Sequence, residues 1–141
     1  MTPARLLRAL QDEISENLRN YRYRGDDEES NHVNVYLQLS DENFIDEKKY
    51  PLVMVSIRSV ECDNYKQFAN VEITIGTYGE EEESLIDLLN ISERIRQYLL
   101  KNIKLANRFL MLYPLRMEIL TDQPYPFRFG YITTQYTIGS M

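Results

Sequence analysis

The chain has no tryptophan, one histidine and one cysteine in 141 residues. Cys62 alone cannot form an internal disulfide, and a structural zinc site built from several cysteines is excluded within one chain. With His32 as the sole histidine, a nucleophilic cysteine-histidine pair rests on one combination with no evident base beside it, so Cys62 is read as a small, half-buried filler. A basic excess is missing too. Sixteen Lys and Arg against 22 Asp and Glu leave a net charge of −6, the wrong sign for a protein that grips phosphates by displacing counterions. No run approaches the roughly 20 apolar residues that cross a bilayer, and the N-terminus lacks a basic flank before an apolar core. Neither membrane anchoring nor secretion is expected, which leaves cytoplasmic residence. Nucleophile elbow, phosphate loop and dinucleotide fingerprint are all absent; no such motif points to a cofactor or to catalysis.

What is present is an ordinary globular composition, 43% hydrophobic and 27% charged, in a length that suits one domain over residues 1–141. Thr2 before Pro3 is a helix start, and Leu7, Leu10, Ile14, Leu18 and Tyr21 recur at helical spacing, predicting a helix from about Pro3 to Asn20. Arg22 to Asn31 reads as a polar loop. Val33, Val35, Leu37 and Leu39 alternate with polar residues as in a half-buried strand, and strands are also expected over Leu52 to Val60 and Val71 to Tyr78. Three successive strands suggest an antiparallel meander. A second helix from about Ser84 to Lys101 would bury Leu85, Leu88, Leu89, Ile95, Tyr98 and Leu99. Short strands about Pro114 and a C-terminal strand complete an α+β layer: a mostly antiparallel sheet with two helices packed on one face.

Two acidic runs, Asp26, Asp27, Glu28 and Glu29, then Glu80, Glu81, Glu82 and Glu83, invite a metal reading. The first lacks the ligand spacing of a calcium loop. The second leads into a helix, whose dipole favours negative charge in the first turn, and it would repel phosphate from the turn at Gly76 and Gly79. Both runs are expected to be exposed and to bind neither metal nor DNA.

Asp122 to Met141 is rich in aromatic and strand-forming residues. Pro124 and Pro126 lack donors, so Gln123 to Phe127 should be an extended or edge segment. Tyr125, Phe127, Phe129 and Tyr131 would share one face of an extended chain. They either pack on the protein's own sheet or meet another subunit, where tyrosine and phenylalanine are enriched, with Arg128 supplying a charge.

The Gly-Thr-Tyr-Gly strand end, the acidic lead into a helix bearing Asp-Leu-Leu-Asn, the Pro114-Leu115 corner and the Gln-Pro-Tyr-Pro to Phe-Gly-Tyr run resemble those of the small tail-terminator proteins of long-tailed phages and prophages. These phrases cover roughly half of the chain. The resemblance implies a lambda-type fold and a non-enzymatic ring, hexameric, that caps the tail tube, ends its polymerisation and joins tail to head. It also implies residence at the virion's tail-head junction after assembly in the bacterial cytoplasm. The partners would be further copies, the tail-tube protein and a head-completion or connector protein, with no sequence-specific nucleic acid. The acidic runs would then face solvent or the DNA channel. Another neck protein is the nearest alternative reading, followed by a small cytoplasmic enzyme or ligand-binding domain with a pocket between sheet and helices.

Overall fold

The computed structural model describes residues 2–21, 33–38, 50–64, 66–80, 82–122 and 125–140. The acidic run Asp26 to Glu29, His32, Leu39 and Glu81 lie outside them. The first helix, α1 (Pro3–Leu18), starts at Thr2, whose hydroxyl accepts the Arg5 N–H at 3.2 Å with Pro3 in the first turn. Thr2→Ala should therefore cost about 1 kcal/mol in urea unfolding, while Thr2→Ser should be near neutral. The buried stripe is Leu6, Leu10, Ile14 and Leu18, one helix position away from the expected one at its start, with Leu7 and Tyr21 only half-buried at its margin.

Strands β1 (Asn34–Leu37), β2 (Leu52–Cys62) and β3 (Lys66–Tyr78) follow, then α2 (Glu82–Lys101), β4 (Lys104–Leu105), β5 (Phe109–Ile119) and β6 (Phe127–Ser140). The strands make one mixed sheet in the order β1-β2-β3-β6-β5-β4. The expected meander fails at its first step, since β1 runs parallel to β2. The physical reason is the length of the connection: residues 38–51 lie between the two strands, enough for a crossover and far more than a hairpin needs. β2 and β3 do form an antiparallel hairpin, closed where the Asp63 side chain accepts the Lys66 N–H at 2.7 Å. Cys62 sits exposed at its tip, which corrects the half-buried reading.

The two short strands expected about Pro114 are one strand, β5, whose pairing with β6 is interrupted between Leu112 and Arg116. The residue without a donor falls where the ladder is already broken. β6 is not at an edge. It pairs with β3 on one side and with β5 on the other, so Pro126 marks only its entry, while Gln123 and Pro124 lie outside the described residues.

One core joins α1 and α2 to the sheet residues Val53, Val55, Val71, Ile73, Ile75, Ile132, Tyr136 and Ile138. On α2 the buried face is Ser84, Asp87, Leu88, Ile91, Ser92, Ile95 and Leu99. Leu89, expected inside, is exposed, as is Ile86. The polar members of that face permit close approach of helix to sheet. A Cβ on Gly130 would lie 2.8 Å from Ile119 Cδ1 and 3.5 Å from Ser92 Oγ, so the β6 backbone passes directly beneath α2.

Candidate assembly surface

Alternation along β6 divides the aromatic block. Ile132 pairs with Ile73 under the helices, so Phe127, Phe129 and Tyr131 point to the opposite face. There they meet aromatics from elsewhere in the chain. Tyr50 lies 5.1 Å from Phe127 and 6.1 Å from Phe129 between ring centroids, Phe127 and Phe129 are nearly parallel at 6.5 Å, and Tyr78 meets Phe127 at 5.0 Å. Gly76, opposite Phe129 in the ladder, makes room for this: a Cβ there would be 2.7 Å from Tyr50 Cε2. Tilted and offset ring pairs at such distances add to the stabilisation from burial. The cluster is thus braced from three sides.

Its exposed part is its rim. Tyr125 is 67% exposed in the turn before β6, and Tyr78 is 41% exposed at the end of β3. The Gly79 N–H donates to the Pro126 carbonyl at 3.1 Å, which clips the turn after β3 to the turn before β6 and sets both tyrosines at one end of the sheet. Gly79 has φ of +151°, a conformation that any side chain would strain.

Tyr131 continues this face toward polar ground. Burial first, and then the carboxylate of Glu72, push its phenol up, while Arg58 pulls the other way. Arg58 pairs with Glu72 at 2.8 Å. One row further on, the Asn70 amide donates to Ser59 and Glu61 at 2.7 Å each, and the Gln135 amide donates to Asn70 Oδ1. The sheet face opposite the helices therefore grades from aromatic at the Tyr78 end to amide and charge at the hairpin end.

Arg128 does not belong to this face. Paired with Thr77, it points toward α2, where its Nε donates to Ser84 Oγ at 2.7 Å. Ser84 Oγ donates in turn to the Gly79 carbonyl, and the Thr77 hydroxyl donates to the Ser84 carbonyl at 2.7 Å. Arg128 is occupied in seating the start of α2. Glu82 and Glu83 occupy that first turn, and both they and Glu80 are exposed, which suits the dipole and leaves their charge in water.

Tyr50 and Tyr78 are members of the cluster that residue spacing missed. Tyr78 stands in the sequence only as the end of an expected strand and Tyr50 only as the residue before Pro51, and nothing local announces that they meet Phe127 from 49 or more residues away. Away from this end, a shallow groove of about 490 Å³ lies between α1 and the turn after β4, lined by Ala4, Arg5, Arg8, Ala9, Asp12, Glu13 and Ala106. Among the described residues no group of three or more His, Cys, Asp and Glu is placed to hold a metal ion. No known family model matches the chain, and no curated protein is significantly similar to it.

Proposed function

We propose that the protein is a structural component of a phage or prophage tail, a terminator that caps the tail tube as a homo-oligomeric ring of lambda-type fold. The observation that carries this reading is the aromatic end of the sheet. Tyr78, which packs on Phe127, and Tyr125, two residues before it, offer large side chains to a partner at the end of the sheet where Phe127, Phe129 and Tyr50 cluster. Rigid aromatic anchors on a braced support are what a subunit contact uses, because little conformational entropy is lost on docking.

Sheet edges supply the second contact. The outward carbonyl of Val35 on β1 accepts the Gln11 side chain at 3.1 Å, so that edge is partly taken by α1. β4 and the residue before it shield β5 only from Phe109 to Met111, whose N–H donates to the Ile103 carbonyl at 2.7 Å. The remainder of β5 is the edge better placed for a neighbouring subunit, and Pro114 restricts how far a ladder can extend along it. Head-to-tail contact between the aromatic end and that edge closes a ring if the rotation per subunit divides a full turn, as in a hexamer. Glu80 and its neighbours would then line or approach the DNA channel, where repulsion favours passage.

The decisive variant is Tyr125→Ala, since an exposed side chain can be removed without touching the core, whereas Phe127→Ala or Phe129→Ala would also loosen the cluster. Ring formation on tail tubes is expected to fall at least about tenfold, with tubes overrunning their normal length in electron micrographs and urea unfolding unchanged. Normal rings and normal tube lengths from the doubly substituted Tyr78→Ala, Tyr125→Ala protein would remove the proposed surface.

A further inference from the structure

Between α1, α2 and β6 lies a set of polar atoms that the assembly reading does not use. Glu13 faces Tyr98 of α2, whose hydroxyl donates to Glu13 Oε1 at 3.2 Å. The other carboxylate oxygen, Glu13 Oε2, is buried and has no hydrogen-bond partner; the same holds for Asn17 Oδ1, the Tyr136 hydroxyl and, over Gly130, Ser92 Oγ. Glu13 and Asn17 are four residues apart on α1, so their side chains are neighbours on one helix face. Tyr136, on β6, belongs to the same core as the leucine stripe of α1 and has no exposure at all, and its phenol is pushed up by burial first, then by the charge of Glu13 and of Tyr98. Glu13 thus neighbours two of the other orphaned groups, Asn17 along the helix and Tyr136 across the core.

Leaving two acceptors and a hydroxyl unpaired in the interior would cost about 1 to 3 kcal/mol for each group. Their types are complementary to one small molecule. Water donates twice and accepts at least once, and buried waters make about three hydrogen bonds on average. We infer that a structural water occupies this junction, donating to Glu13 Oε2 and Asn17 Oδ1 and accepting from the Tyr136 hydroxyl, and that it ties α1 to the sheet. Arg94 closes the same junction from α2, its Nε donating to the Asn17 carbonyl at 3.2 Å, so α1 is held there by polar contacts as well as by its leucine stripe.

The test is Tyr136→Phe, which keeps the ring and removes the hydroxyl, read by amide hydrogen exchange along α1 together with a high-resolution crystal structure of the unaltered protein. The expected result is exchange about tenfold faster in the variant, the size of one lost hydrogen bond in a charged network, and one ordered water within bonding distance of all three oxygens. Exchange that is unchanged or slower would mean that the hydroxyl is a true orphan and would overturn the inference. So would crystallographic density showing a direct Glu13 to Tyr136 bond, or an empty junction. If Tyr136→Phe fails to fold, the water position decides alone.

Discussion

Ile73→Ala is expected to lower stability by about 3 kcal/mol, the middle of the range for deleting a large aliphatic side chain from a core that cannot collapse around the gap. Ile73 is fully buried on β3, with Val55 beside it on β2 and Ile132 beside it on β6. Ordered sheet neighbours on both sides hold the backbone in place, so little of the cavity can close. Losing the β-branch in a central strand adds to the loss. The matched control is Leu89→Ala on α2, where the side chain is 41% exposed and the change should fall within about 0.5 kcal/mol. Urea unfolding checks the pair: the midpoint should drop for Ile73→Ala at unchanged slope. Similar costs for the two variants would mean that the core is not where β3 places it.

Gly76→Ala should be nearly as damaging although it adds only one methyl group. The new Cβ would stand 2.7 Å from Tyr50 Cε2 and 3.0 Å from Phe129 Cε1. Tyr50 is buried and backed by Phe127, so its ring cannot swing aside without disturbing a second ring. Overpacking of this kind costs about 1 to 3 kcal/mol. A double-mutant cycle identifies the cause, because Tyr50→Leu vacates the contested space. The cost of Gly76→Ala in that background should shrink by at least about 0.5 kcal/mol. Equal costs in both backgrounds would show that the clash is not with Tyr50. Because Tyr78 packs on this cluster, Gly76→Ala should also weaken assembly, in contrast to the clean surface variant Tyr125→Ala.

The candidate surface was legible in part. Placing Phe127, Phe129 and Tyr131 on one face needed only the two-residue period of a strand, and the structure puts them there. The same rule, applied one residue over, sends Arg128 to the helix side, where it bonds Ser84 instead of joining the aromatics. Tyr125 fell outside the rule because it precedes the strand: it lies in a turn, and its exposure comes from that turn and not from alternation. Leu89 was misjudged for a related reason. A helix with apolar residues on more than one side has several possible inward stripes, and α2 turns the one containing Asp87 and Ser92 to the sheet, because a backbone passing as close as Gly130 leaves no room for a wider residue.

Local chemistry decided much of this protein before any tertiary contact. Thr2 and Pro3 set the start of α1, the spacing of leucines and isoleucines made two amphipathic helices, and alternating β-branched residues made strands that expose one face to a core. These signals act within one or two turns of chain, so they can be read in order along it. Strand order could not be read that way. Whether β1 lies parallel to β2, and whether β6 is central, depends on which edges meet after the helices have claimed one face of the sheet. The cluster of Tyr50, Tyr78, Phe127 and Phe129, like the junction of Glu13, Tyr98 and Tyr136, exists only because that topology brings distant residues together. Each member alone is an ordinary residue at an element's end or on a helix face. Their joint environment is a property of packing, which couples residues through shared space irrespective of their separation along the chain.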